Sequence, residues 1–407
     1  MVRLSVSRPP YTIPSYSLTG DLLAYLNCGL QYRYQNRGAL PPSTPVQLWF
    51  GQFIHAVMEE AYLRWRDDAG YRRFPWDWET HVRPLELEIE RRLATTGLVA
   101  PRPLFCRSDG VSPEPACTCD NPLVDHHRLL ASRRVDRLIE TWGRHLFPLI
   151  SRAEVNVRGI REITYPGPRR ADYYEVSGTI DVLGSIEMAT APAGNLLLHR
   201  LYAVPEIATA IAGAPGGRYE VILDYKGMRR PATTAPESLY YQWQLHTYAW
   251  LREQQQGASE VVAGVLLFAN ELEPSQMDMR RLQEDLRAGR TDIRPVGQDA
   301  IAVSAWVNRT PVPALSRQFL EDRSILIVPI SRTSIGTYAA EFDNVVEDIE
   351  KSVGSETAGV GITAAWGTRP SGGAYNAPEP ETCTACDHKH YCPLARAVGY
   401  GTPPTAP

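Results

Sequence analysis

The chain has 407 residues, 43% of them hydrophobic, and a formal net charge of -4. It is long enough for one large domain with insertions, and hydrophobic enough for a substantial core. A near-zero charge excludes a globally basic nucleic-acid binder, and the absence of a long apolar run or an apolar stretch between Met1 and Gly20 argues against a membrane or secreted protein.

Ser17 and Thr19 offer capping groups, and the following Asp21, Leu22, Leu23, Tyr25 and Leu26 predict a short helix that delivers Cys28 to its end. Between Val46 and Trp65 the residues Phe50, Ile54, Val57, Met58, Ala61 and Trp65 recur at helical spacing, with His55 and Glu59 on a neighbouring face. Residues 67 to 128 are rich in Pro, Arg and Asp and read as an insertion with one helix near 79 to 95, followed by a helix at 128 to 150. The periodicity then changes to two, predicting strands over Val157 to Tyr165, Tyr173 to Gly184 and Tyr219 to Tyr225, with a long excursion at 190 to 218. Glu237 to Gln256 reads as a helix, Val261 to Phe268 as a buried strand, Ser324 to Ile330 as a further strand and Ile335 to Val353 as a closing helix. The order supports an α/β mixed sheet covered by helices. Four parts follow: 1 to 66, an N-terminal helical part; 67 to 156, an insertion and helical region; 157 to 353, the core; and 354 to 407, a connector and cysteine-bearing end.

Seven cysteines in a chain expected to be cytoplasmic suggest ligands rather than disulfides. Cys383, Cys386 and Cys392 form C-x2-C-x5-C, which leaves one tetrahedral position empty, and Cys28 is the candidate to fill it. Four thiolates suit either zinc or a 4Fe-4S cluster. A second group, Cys106, Cys117, Cys119, His126 and His127, offers a possible zinc site of irregular spacing. Arginine clusters at Arg133, Arg134 and Arg137, at Arg169 and Arg170, at Arg229 and Arg230, and at Arg280 and Arg281 read as solvated surface.

The strand Val221 to Lys226 ends in Asp224 and Lys226, which share a face because side chains two apart on a strand point the same way. Asp181 lies on the strand before it. If the two strands pair, the two aspartates converge on one hard cation, as magnesium requires. Gln244 and Tyr248 share a helix face at i and i+4, and His246 lies off it.

In this order, G-x-x-x-H at Gly51 to His55, G-x-I-D at Gly178 to Asp181, D-x-K at Asp224 to Lys226 and Q-h-x-x-Y (h apolar) at Gln244 to Tyr248 resemble the RecB-like branch of the PD-(D/E)XK nuclease superfamily. The flanking cysteines resemble its iron-sulfur members, which include the AddB-type nuclease domain and the CRISPR adaptation nucleases. The resemblance implies a restriction-endonuclease-like fold with insertions, closed by a 4Fe-4S clasp that joins the N- and C-terminal segments through Cys28, Cys383, Cys386 and Cys392. It also implies Mg2+ or Mn2+ held by His55, Asp181, Asp224 and the carbonyl of Tyr225, a catalytic Lys226, and Gln244 and Tyr248 positioning the DNA strand. Gly29 departs from the family, which commonly has proline after the first cysteine.

The function implied is a metal-dependent DNA nuclease, a single-strand exonuclease with 5′ to 3′ the preferred polarity, acting in DNA repair, antiphage defence or CRISPR adaptation. Its partners would be DNA with a free end and a helicase or CRISPR integrase, since the chain carries no G-x-x-x-x-G-K-[ST] of its own. Two alternatives stand beside it: a non-catalytic DNA-end-binding subunit and an iron-sulfur electron carrier.

Overall fold

A computed structural model describes residues 13–37, 46–99, 130–167, 169–367, 383 and 386–397. In chain order the elements are β1 (Ser15–Ser17), a π-helical turn (Leu18–Leu23), α1 (Ala24–Asn27), α2 (Gly29–Arg37), α3 (Val46–Asp67), α4 (Arg83–Thr95), α5 (Leu130–Leu138), β2 (Arg152–Glu162) and β3 (Tyr173–Glu187). They continue as α6 (Leu196–Tyr202), α7 (Pro205–Gly213), β4 (Arg218–Lys226), α8 (Pro236–Glu253), β5 (Val261–Phe268), α9 (Gln276–Arg287), α10 (Gly297–Ala305), α11 (Arg317–Ser324), β6 (Ile325–Pro329) and α12 (Arg332–Thr357). Among the described residues they build a six-stranded mixed sheet flanked by helices, a restriction-endonuclease-like arrangement.

The strand order is β1-β3-β4-β5-β6, with β2 on the other edge of β3. β5 has every residue buried, because α3, α6 and α7 cover one face of the sheet and α8 and α12 the other. Such a central strand reads as a continuous apolar run, which is why its limits coincide with the predicted ones. Two apolar layers result, one centred on Trp49, Phe53 and Trp142 and the other on Trp243, Leu245 and Phe342.

Where the sheet forks is what matters for function. β4 pairs with β3 only over Val182 to Glu187, while β1 pairs with β3 over Glu175 to Ser177. Because β2 occupies the opposite edge of β3 from Tyr173 to Leu183, β1 and β4 must share one edge. Residues 178 to 181 face the gap between them.

Several elements depart from the sequence expectations. β2 starts at Arg152 rather than Val157, and the excursion at 190 to 218 contains α6 and α7. The stretch after β5 contains α9, α10 and α11, for which the sequence reading assigned nothing; α9 opens with a capping box between Ser275 and Asp278. The closing helix runs on to Thr357, into the expected connector, and Trp366 beyond it is fully buried. No described helix is long and apolar enough to cross a membrane.

Most of the arginine clusters are structural. Arg134 is buried on Asp278, Arg230 is buried on Asp292, Arg170 pairs with Glu350 and Arg229 with Asp285. The reading of these clusters as solvated surface therefore fails at Arg134 and Arg230, whose guanidinium groups are satisfied by carboxylates folded over them.

Candidate active site at the fork of the sheet

At the end of its ladder with β3, β4 turns away and its polar residues meet those of β3. Asp181 continues the ladder by side chain: its Oδ2 accepts from the backbone N–H of Tyr225 at 3.1 Å. His55, on α3, reaches the same place, with Nδ1 3.2 Å from Asp181 Oδ2 and Nε2 2.8 Å from the Tyr225 carbonyl oxygen. A carbonyl only accepts, so Nε2 carries a hydrogen, and a second hydrogen on Nδ1 satisfies Asp181. With no metal bound, the two acceptors therefore favour the doubly protonated ring.

On the other side of the fork, Lys226 Nζ donates to Asp224 Oδ2 at 2.7 Å and to Gln244 Oε1 at 2.9 Å. Gln244 Nε2 donates to the same Asp224 oxygen at 2.8 Å. The aromatic ring of Tyr241 lies 4.9 Å from Lys226 Nζ, a cation–π contact that keeps the ammonium in place. Asp224 Oδ2 therefore has two donors, whereas its Oδ1 is buried without any partner.

The electrostatics follow from this packing. Burial, and then the charge of Asp181, raise the pKa of Asp224, with Lys226 opposing. Burial works to raise Asp181 as well, but the charge of His55 outweighs it and holds the carboxyl below its ordinary value. Burial alone would lower His55; Asp181 and then Asp224 overcome that and push it up to about 9.

Sequence reasoning missed Glu154 and Tyr241. Glu154 lies opposite Asp181 on β2, between the pairs Ala153–Val182 and Val155–Ile180, with φ of 49°. Here β3 changes parity: Ile180 and Leu183 pack with the α8 layer and Val182 with the α3 layer. The left-handed residue on the partner strand accommodates that twist. Glu154 is open to solvent, yet the surrounding protein mass, and then Asp181 and Glu59, push its carboxyl up to about 7. Tyr241 had a signal, since it stands three residues before Gln244 on the same helix.

Of the residues singled out from the sequence, His55, Asp181, Asp224, Tyr225, Lys226 and Gln244 come together here, and Tyr248 stands behind them with its hydroxyl 3.4 Å from Gln244 Nε2. His246 is turned away, stacked on Tyr338. Among the described residues, His55, Asp181 and Asp224 form a group whose ligand atoms lie within 4.8 Å of one another. Two carboxylates, a carbonyl and one imidazole are a hard donor set, and the orphaned Asp224 Oδ1 lacks what a cation would give it. These residues fit Mg2+ or Mn2+.

The two chain ends meet elsewhere. Cys28 caps α1 and is buried; its thiol is pushed up by burial and, further, by Cys392 and Cys383. Cys386 is pushed up to about 11 by burial and then by Cys28, Cys392 and Cys383. The four thiols thus share one neighbourhood. Gly29 has a local reason: a Cβ there would stand 2.9 Å from the Gly367 carbonyl oxygen. The second cysteine group, Cys106, Cys117, Cys119, His126 and His127, lies outside the described residues.

Residues 211–393 match the model of the PD-(D/E)XK nuclease superfamily. The matched segment holds Asp224, Lys226, Gln244, Tyr248 and the last three cysteines, while His55 and Asp181 precede it and join the carboxylate site through the fold, and Cys28 precedes it and lies near the last three cysteines. Fold, site and family match agree on a metal-dependent nuclease. No curated protein matches the chain.

Proposed function

We propose that this protein hydrolyses phosphodiester bonds in DNA, as an exonuclease on single strands with a free end and with 5′ to 3′ the preferred polarity. The observation that carries the reading is Asp224 Oδ1, buried and unpartnered beside Asp181, His55 and the Tyr225 carbonyl. A divalent cation bound there would neutralise charge on the phosphate and lower the pKa of an attacking water. His55, Asp181, Asp224 and the Tyr225 carbonyl would hold it.

The chain's own residues do the rest. Lys226 is held by Asp224 and Gln244, so its ammonium is fixed before substrate arrives and can offset negative charge developing at phosphorus. Gln244 fixes both partners of that pair, which makes it a positioning residue. Tyr248, packed against Gly178, limits how far Gln244 can swing.

Cys28, Cys383, Cys386 and Cys392 would carry a 4Fe-4S cluster with an architectural role, supported by the shared neighbourhood of the four thiols. The settings this reading suits are DNA repair, antiphage defence or CRISPR adaptation, beside a helicase or integrase. The non-catalytic end-binding alternative would be favoured by the loss of a catalytic residue type, and His55, Asp181, Asp224 and Lys226 are all in the sequence.

End-labelled single- and double-stranded DNA, incubated with the protein and Mg2+, Mn2+ or chelator, tests the proposal. Metal-dependent shortening of single strands from one end is expected; intact DNA under every condition contradicts it.

A further inference from the structure

The groove that contains the carboxylate site has a volume of about 700 Å3 and extends well beyond it. One side is the β2–β3 ribbon, where the register sets Asn156 opposite Thr179 and Arg158 opposite Ser177; all four line the groove. Ser17, which pairs with Ser177 on the other edge of β3, continues this surface, and Thr19 follows it from the π-helical turn.

Alternation on β3 explains why these groups are available. Val176 and Ile180 point into the α8 layer, and Gly178 lies against Tyr248, so Ser177 and Thr179 point the other way. Rungs two residues apart on a strand are spaced by roughly 6.6 Å, close to the repeat of an extended nucleotide. Thr179 Oγ1 donates to Asn156 Oδ1 at 3.0 Å, which engages the amide oxygen and leaves the amide N–H groups as donors. Arg158 is exposed and makes no ion pair with any described residue. Its neighbour Arg161, in contrast, is tied to Asp343 at 2.5 Å. The rungs end at Glu175, which accepts from Ser15 Oγ and places a negative charge at the far end.

We propose that the rungs Asn156–Thr179 and Arg158–Ser177 form a track for the sugar-phosphate backbone of one nucleic-acid strand, leading from the carboxylate site and stopping before Glu175. The inference rests on the nuclease reading and specifies where its substrate lies. Uncharged donors and one guanidinium contact the backbone rather than base edges, so the track binds without sequence preference.

The test is fluorescence anisotropy of the full-length protein with a labelled single-stranded oligonucleotide and a labelled blunt duplex, in chelator, across a salt series. Arg158→Ala is expected to weaken single-strand binding about tenfold, the loss of one hydrogen bond to a charged group. The slope of log affinity against log salt should shrink by about 0.7 with the loss of one phosphate contact, and Arg158→Lys should restore it. In cleavage assays Thr179→Val should raise KM with kcat little changed, as for a group that binds substrate and transition state alike. Unchanged affinity and slope in Arg158→Ala, with wild-type protein that cleaves, would overturn the track alone. Duplex bound as tightly as single strand, with the same dependence on Arg158, would overturn the single-strand assignment. Wild-type protein that binds strands but cleaves none would instead overturn the nuclease reading.

Discussion

His55 and Asp224 each bind a proton more tightly in the folded protein than in the unfolded chain, and that makes the metal-free site sensitive to alkali. For His55 the stabilisation is complete below its ordinary pKa of 6.5 and is lost as pH rises through about 9. Asp224 works in the same direction at lower pH, because its carboxyl is raised by burial and by Asp181. Chelator-treated protein should therefore show a falling Tm between pH 6.5 and 9.5, and His55→Gln should flatten the fall. A Tm independent of pH in this window would contradict the imidazolium assignment. Added Mn2+ should raise Tm more at pH 8.5 than at pH 6.5, since a ligating imidazole must first give up its proton. The residues of this centre were legible in the sequence where a strict spacing fixed their direction: Asp224 and Lys226 two apart on a strand, Gln244 and Tyr248 four apart on a helix. Glu154 was not legible, because its place opposite Asp181 comes from pairing register and from a strand that begins five residues before the expected start, at Arg152.

At the scale of elements, the site depends on α8 lying close to β3. Gly178 permits that approach, since a Cβ would stand 2.7 Å from Tyr248 Cε1. Tyr248 is buried. Gly178→Ala is expected to cost about 1–3 kcal/mol of stability by overpacking, read from denaturant unfolding, and to lower kcat by displacing Gln244. A variant as stable and active as wild type would show that the contact yields freely. Buried β5 and the long α3 were recognisable because apolar patterning alone defines them. α7 was hidden by its own Ala, Pro and Gly content and the short α6 by the Ala, Pro and Gly around it, although Asn195 as N-cap and Pro205 at the first helical turn were present as start signals. The fork itself was invisible, since no local pattern states that β1 and β4 share one edge of β3.

Across the whole molecule, the segment that carries Cys28 packs against residues that follow the closing helix. Trp366 lies against Tyr25 and Tyr32, and its Nε1 donates to Glu356, which also holds Arg33 through two hydrogen bonds of 2.8 and 2.6 Å. His388 is buried against Tyr34. The proposed cluster would close a long loop of chain, and so would stabilise by restricting the unfolded state as a crosslink does. Anaerobically purified protein is expected to be brown with broad visible absorbance, and Cys386→Ser should bleach it and lower Tm while the carboxylate site stays assembled. Colourless protein carrying stoichiometric zinc would contradict the cluster and leave the nuclease account intact.

The central claim is that Lys226, Asp224 and their neighbours cut a phosphodiester bond, and the most direct measurement is metal-dependent cleavage of end-labelled single-stranded DNA by wild type and by Lys226→Ala, with folding of both checked by circular dichroism. The variant is expected to be folded and inactive, with a loss of at least about a hundredfold if Lys226 offsets transition-state charge. A folded Lys226→Ala protein that cleaves at the wild-type rate would contradict it.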